Sequence, residues 1–151
     1  MNGDMLKTKI AIFAVSLFAI AIVGCSEGEE QNGSEFPIRI EDRSIDSGRS
    51  VYENSCASCH GPVNGPMTLK SAPVHGDAGH TWHHPDRLLF DWVMDRPPLA
   101  TSMPAFRGQL SEAQVLDVLA YIKTFWRSDI LKNQLEGSAQ YEAQVAELGV
   151  N

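Results

Sequence analysis

Apolar residues recur at helical spacing in three parts of the chain, and no stretch shows a sustained alternation of apolar and polar residues. The clearest helix follows Ser111-Glu112-Ala113-Gln114, which is a capping box with Leu110 and Val115 placed as a hydrophobic staple. Its apolar stripe consists of Val115, Val118, Leu119, Ile122, Phe125 and Trp126. This pattern predicts a helix that ends near Trp126.

Two weaker patterns predict further helices upstream. One begins at Pro85-Asp86, runs through Leu88, Leu89, Trp92 and Val93, and stops before Pro97-Pro98. The other begins near Asp46, a suitable N-cap, and continues through Val51 and Tyr52. With no convincing strand pattern, the predicted fold class is all-α.

Loops and a polar tail separate and follow these helices. Residues 61–79 are rich in glycine and proline, and residues 99–109 form a second loop that contains Met103-Pro104. Residues 128–151 are polar and interrupted by glycine. We expect a core domain over residues 46–127 and a partly helical C-terminal extension of one or two loosely packed helices over residues 128–151.

The N-terminus has the pattern of an export signal. Lys7 and Lys9 precede an apolar run from Ile10 to Val23, which is too short to span a bilayer and suits the apolar region of a signal peptide. The sequence Ile22-Val23-Gly24-Cys25 resembles a bacterial lipobox, which implies cleavage after residue 24 and a lipid on Cys25. A conventional signal with an incidental Cys25, and an uncleaved anchor, are the alternatives.

The segment after Cys25 has the composition of a flexible linker. Residues 26–35 contain four carboxylates and no large apolar residue, so they cannot bury enough surface to order themselves. We therefore predict a flexible acidic linker over residues 25–45. About 20 residues of coil would span on the order of 25 Å, enough to let a folded domain swivel above a membrane.

The charge balance restricts the class of partner. The chain has 12 basic and 19 acidic residues and a net charge of −7. This balance disfavours nucleic acid as a ligand, because nucleic acid attracts basic surfaces. It favours protein partners with basic docking surfaces and association rates that fall with salt.

The strongest chemical signal is Cys56-Ala57-Ser58-Cys59-His60, the attachment motif for a covalent haem. Each thiol can add across one vinyl group of a porphyrin, and the adjacent imidazole can then ligate the iron. A helical turn over the motif would bring both sulfurs and the ring to one face. A thioredoxin-like dithiol is the alternative, but it requires a βαβ context that the sequence lacks.

The chain from Asp46 to Trp126 resembles the class I (mono-haem) cytochrome c family. The matching residues are the attachment motif, Gly61, Met103-Pro104 and the terminal helix that ends Tyr121-Ile122-Lys123-Thr124-Phe125-Trp126. The resemblance implies a small helical fold with one covalently bound haem c, whose iron is ligated by His60 and Met103. Such a chain would be a membrane-tethered, extracytoplasmic carrier of single electrons rather than an enzyme.

Other residues have weaker assignments. Met94 lies within a helix beside apolar residues, and Met67 is only seven residues past His60, so Met103 is the better candidate for the second iron ligand. By resemblance, a proline carbonyl would hold His60, and Pro73 is the first candidate, with Pro62 and Pro66 as competitors. Trp92, Tyr52 and Tyr121 could either contact the haem or simply pack.

The histidines outside the motif, at positions 75, 80, 83 and 84, allow several interpretations. His80, His83 or His84 could replace methionine as an iron ligand, or could bind copper or zinc. The interpretation that we favour is a polar loop whose rings cap helices or bond haem propionates. Two other functions remain open: a peroxidase-like haem enzyme with a labile sixth ligand, and a copper-handling lipoprotein that uses the histidine-rich loop.

Overall fold

A computed structural model describes residues 35–149, which are helical and contain no β-strand. This confirms the predicted all-α fold class. Five α-helices, here numbered in chain order, are α1 (Ile45–Val51), α2 (Ala57–His60), α3 (Asp86–Asp95), α4 (Glu112–Lys123) and α5 (Ser128–Leu148). As predicted, residues 61–79 form a loop without regular structure.

Helix α4 is the centre of the core. Its capping box is formed as the sequence predicts: the Ser111 hydroxyl accepts from the Gln114 backbone N–H, and the Gln114 side chain accepts from the Ser111 N–H. Val115, Val118 and Ile122 are each at most 4% exposed. Helix α4 ends at Lys123, earlier than the predicted Trp126, because residues 124–126 continue as tight turns.

The ordered structure begins earlier than residue 46. Helix α1 is capped by Ser44, whose hydroxyl accepts from the Ser47 N–H, so Asp46 lies inside the helix. Ile38 is 1% exposed, and Phe36 packs against the core. The predicted linker over residues 25–45 was therefore too long at its C-terminal end, because isolated apolar residues after residue 35 find partners that only the folded domain supplies.

The start of helix α3 lies in a buried polar network. Pro85 precedes the helix as its N-cap and Asp86 is its first residue, one position later than predicted. Asp86 is fully buried and forms an ion pair with Lys123 at 2.6 Å, and its carboxylate also accepts from the Ile38 N–H at 2.8 Å. Burial lowers the pKa of Lys123, and the Asp86 carboxylate opposes that effect. The network therefore ties the segment before α1 to α3 and α4.

The C-terminal extension is one continuous helix, α5, which agrees with the predicted one or two helices but is held by specific contacts rather than loosely packed. Ile130, Gln134 and Ser138, spaced four residues apart, are its buried residues. Gln134 donates to Asp86 at 2.7 Å, and Arg87 of α3 makes a bidentate ion pair with Glu142, with contacts of 2.6 and 3.0 Å. Polar contacts therefore join α5 to α3, and the spacing of apolar residues in the sequence does not predict such contacts.

Within residues 35–149, no helix is long and apolar enough to cross a membrane. The predicted signal peptide, Cys25 and residues 26–34 of the predicted linker lie outside the described residues.

Candidate functional site

A cavity of about 360 Å³ lies against helices α2, α3 and α4. Its polar and sulfur-bearing lining includes Cys56, Cys59, His60 and Met103. Its apolar wall comes from the core faces of α3 and α4 and contains Leu89, Trp92, Val93, Val118, Leu119 and Ile122. The structure therefore brings the motif and the distant methionine, 43 residues past His60, to one apolar chamber.

Local backbone geometry turns the motif toward this cavity. Helix α1 widens into a π-helical stretch over Tyr52–Cys56 before α2 carries the rest of the motif. Such wide turns are common at functional sites. Gly61 then ends α2 with a φ of 72°, and a Cβ at this position would lie 2.1 Å from the Pro66 carbonyl oxygen. The chain therefore needs glycine directly after His60 to turn into the loop that closes the cavity.

The loop after the motif orients the ring of His60. Its Nδ1 lies 2.7 Å from the Pro73 carbonyl oxygen, while the carbonyl of the competing Pro66 packs against Gly61 instead. A donor N–H at Nδ1 leaves Nε2 as the nitrogen with a free lone pair, which is the tautomer that a metal ligand requires. The His75 ring stacks on His60 with a centroid separation of 4.3 Å.

The two motif cysteines are unpaired thiols in this cavity. Burial, with a contribution from Cys59, raises the pKa of Cys56 to about 11. A redox-active dithiol needs a thiolate, and therefore a lowered pKa. The environment of Cys56 thus argues against the thioredoxin-like alternative.

The three internal methionines that competed for the role of second ligand occupy different environments. Met94 is 3% exposed and belongs to the hydrophobic core, and Met67 is 43% exposed and does not line the cavity. Met103 lines the cavity and lies outside the core cluster. Its place in the cavity wall thus comes from the loop before Phe106 rather than from core packing.

The histidine-rich loop contributes two rings to the cavity wall. His80 and His84 line it, and their centroids are 5.1 Å apart. His83 stacks on Trp82 and His80 instead and is not part of the lining. Among residues 35–149, no group of three or more His, Cys, Asp or Glu side chains is arranged to hold a metal ion. This arrangement gives no support to a copper or zinc site in the loop.

The four residues predicted to surround the haem divide into two pairs. Pro73 and Trp92 line the cavity, whereas Tyr52 and Tyr121 do not. The Tyr52 hydroxyl donates to the Gly61 carbonyl at 2.9 Å, and burial raises the pKa of Tyr52 above its ordinary value. Tyr121 packs against Tyr52 with ring centroids 5.7 Å apart. The two tyrosines therefore support the backbone behind the motif.

A comparison with protein families matches residues 43–122 to the family described as cytochrome c oxidase, cbb3-type, subunit III. The chain belongs to this cytochrome c family. The match covers more than half of the chain and contains the motif, the loop with Met103 and most of α4. The expected membership of the mono-haem class I cytochromes c is thereby confirmed, and it indicates an electron carrier rather than an enzyme.

A relative by sequence is a much longer polypeptide that forms part of a dehydrogenase. The chain is 32% identical over 113 residues to one of the subunits of nicotinate dehydrogenase from Pseudomonas putida, and the match covers 68% of the chain and 9% of that relative. The chain therefore spans about a tenth of the length of the curated relative that it matches. No solved structure matches the chain.

The cavity satisfies the chemical requirements of haem c, which the family implies. The thiols of Cys56 and Cys59, the oriented imidazole of His60 and the thioether of Met103 line a single chamber, together with three further histidines and a largely apolar remaining wall. His75 was named in the sequence as one of the loop histidines, but its stack on His60 was not predicted, and Thr81, whose hydroxyl lies 2.7 Å from His75 Nδ1, was not considered. His75 lies two residues after Pro73, but nothing in its local pattern indicates that it would face another imidazole.

Proposed function

We propose that this cytochrome is a membrane-tethered, extracytoplasmic carrier of single electrons that uses one covalently bound haem c. The observation that carries the proposal is the shared cavity lined by Cys56, Cys59, His60 and Met103. In this proposal Cys56 and Cys59 would hold the porphyrin through thioethers, and His60 and Met103 would ligate the iron. Haem supplies the change of oxidation state when bound.

This ligand set suits electron transfer. A thioether ligand together with an imidazole would favour ferrous iron and raise the reduction potential. Ligation by both His60 and Met103 would leave oxygen and peroxide no place on the iron, as suits a carrier of single electrons. The apolar wall from Leu89 and Ile122 keeps water out and so also favours the less charged ferrous state.

Lipid on Cys25 would confine the domain to a membrane face and raise its local concentration near membrane oxidoreductases. Its partners would be redox proteins met through small, transient interfaces, and the net charge of −7 favours basic docking surfaces on them. The similarity to a part of a dehydrogenase subunit supports an oxidoreductase as a redox partner. A Cys25→Ala variant should no longer fractionate with membranes, and cell fractionation of this variant beside the wild type would test the tether.

The decisive experiment compares the optical spectra of the ferric and ferrous protein with those of Met103→Ala and Met67→Ala. We expect the ferric wild type to show the weak red band of an iron–sulfur bond. Met103→Ala should lose that band, become high-spin and bind cyanide rapidly. Met67→Ala should behave as wild type, because Met67 is exposed and does not line the cavity.

A Met103→Ala spectrum that is unchanged would contradict the assignment of the second ligand. If the wild-type protein is already high-spin and binds cyanide at once, the electron-carrier interpretation is wrong and the protein is better described as a peroxidase-like enzyme. Covalent attachment has a separate test. Haem should stay with the wild-type chain in a denaturing gel and dissociate from a Cys56→Ala/Cys59→Ala variant.

A further inference from the structure

His75 is a polar residue in the cavity wall, and the proposed function assigns no role to it. Its ring is stacked on His60 with centroids 4.3 Å apart and an angle of 29° between the planes. His60 is already oriented by the Pro73 carbonyl through Nδ1. A second aromatic ring against its face removes the remaining freedom to rotate, so the pair of contacts defines the plane of the His60 ring.

His75 is itself held from two sides. Its Nδ1 lies 2.7 Å from Oγ1 of Thr81, which is 7% exposed, and its backbone carbonyl accepts from the Trp126 indole N–H at 2.7 Å. Tyr52 lies at the edge of its ring, with centroids 6.1 Å apart. These contacts come from the turn before α3, from the turns after α4 and from the π-helical stretch before the motif. A side chain held by so many elements cannot move away from His60 without disturbing the loop.

The orientation of the His75 ring suits a stack with an iron ligand. The two ring planes are 29° apart and their centroids are 4.3 Å apart, so the face of His75 lies against the face of His60. The face of an aromatic ring carries partial negative charge and attracts a neighbouring positive group. An imidazole bound to iron becomes more positive when the iron is oxidised. An aromatic ring on its face therefore stabilises the oxidised state relative to the reduced state.

We propose that His75 is a positioning residue that, together with Thr81, sets the plane of the His60 ring and lowers the reduction potential of the site. The inference rests on the proposed role of His60 as an iron ligand. His75 does not bind the iron, and it acts only through His60. Thr81 acts one step further away, by fixing the ring of His75.

The test measures the midpoint potential and the electron paramagnetic resonance g-values of the ferric protein for His75→Leu, His75→Phe and Thr81→Val. His75→Leu removes the flat ring, so the potential should rise and the g-values should shift. His75→Phe restores a flat neutral ring and should return the potential toward that of the wild type. Thr81→Val should move both quantities in the same direction as His75→Leu but by less, and should add nothing when combined with it.

His83→Gln is the matched control, because His83 stacks on Trp82 and does not line the cavity. It should change neither quantity. A purely structural His75 would lower the melting temperature of its variants with no change in potential or g-values, and that result would overturn the inference. If the His75→Leu protein does not accumulate with haem, the midpoint potential and g-values of Thr81→Val test the inference instead. A wild type without a low-spin His/Met spectrum would instead refute the proposed function on which the inference rests.

Discussion

At the scale of single residues, the most consequential contact outside the cavity is the ion pair between Asp86 and Lys123. The two side chains are 0% and 1% exposed, and their charged atoms are 2.6 Å apart. Buried charges are costly unless their remaining hydrogen bonds are satisfied. Here the Ile38 carbonyl accepts from Nζ at 2.9 Å, and Gln134 donates to the carboxylate at 2.7 Å. The pair therefore joins four separate segments of the chain.

Lys123→Met should lower the free energy of unfolding of the haem-loaded protein by about 3–5 kcal/mol, because it leaves the buried Asp86 carboxylate without its counter-charge. Urea unfolding followed by far-ultraviolet circular dichroism measures this change. Lys132→Met is the control, because the Lys132 side chain is 75% exposed and its ammonium lies 3.8 Å from the Glu136 carboxylate. It should cost about 0.5 kcal/mol or less.

Replacing both partners distinguishes the unpaired buried charge from the loss of hydrogen bonds, since methionine keeps the methylene stem of the lysine. Asp86→Asn/Lys123→Met removes both charges and should recover part of the lost stability. A double variant that is as unstable as Lys123→Met alone would show that the lost hydrogen bonds of the ammonium, and not an unpaired carboxylate charge, account for the destabilisation.

At the scale of helices, two glycines make opposite contributions. Gly48 lies where α1 packs on α4, and a Cβ there would lie 2.1 Å from the Asp117 carbonyl oxygen. Gly137 lies on the exposed side of α5, where a Cβ would meet nothing within 4 Å. The first glycine permits a close helix crossing, whereas the second only adds conformational freedom to the unfolded chain.

Gly137→Ala should therefore raise the free energy of unfolding by about 0.5–1 kcal/mol, since alanine is the better helix former. Gly48→Ala should lower it, because the contacted atom is backbone and α1 must move away from α4. Thermal unfolding of the two variants beside the wild type measures whether each substitution raises or lowers the stability. A stabilised Gly48→Ala would mean that the two helices are not in close contact.

The elements predicted from sequence are those with local signals. The Ser111 capping box, the attachment motif and the Pro85-Asp86 turn each carry their information within a few residues, and the structure reproduces them with small shifts of boundary. Ile38, Asp86 and His75 gain their roles from residues far away in the chain. Because no local pattern encodes such contacts, the end of the linker, the buried ion pair and the stack on His60 were not predicted.

At the scale of the whole molecule, the cavity shares part of its wall with the hydrophobic core, and its lining also includes Leu99, which is 95% exposed. Its wall includes Val118, Leu119 and Ile122, which belong to the central face of α4 and also form the hydrophobic core. The same side chains that stabilise the helices would therefore contact haem. In a domain of this size the haem would supply a large part of the buried apolar contacts.

Removal of haem should consequently unfold the domain. A cavity of 360 Å³ at ~24 cal/mol per Å³ corresponds to a loss of up to about 9 kcal/mol. A typical domain has a total stability of about 5–15 kcal/mol, so this loss is of the same order. Protein expressed without haem-attachment machinery should therefore show a largely unfolded far-ultraviolet circular dichroism spectrum and no cooperative thermal transition.

The C-terminal helix provides an internal reference for that experiment, because its buried Gln134 and Ser138 contact Asp86 and none of its residues lines the cavity. Amide exchange in the haem-free protein should be fast throughout α2 and α4, whose side chains form the cavity wall. If α4 remains protected without haem, the helices fold on their own polar network and haem enters a preformed chamber. In that case haem would tune the redox chemistry of the domain without being required for its fold.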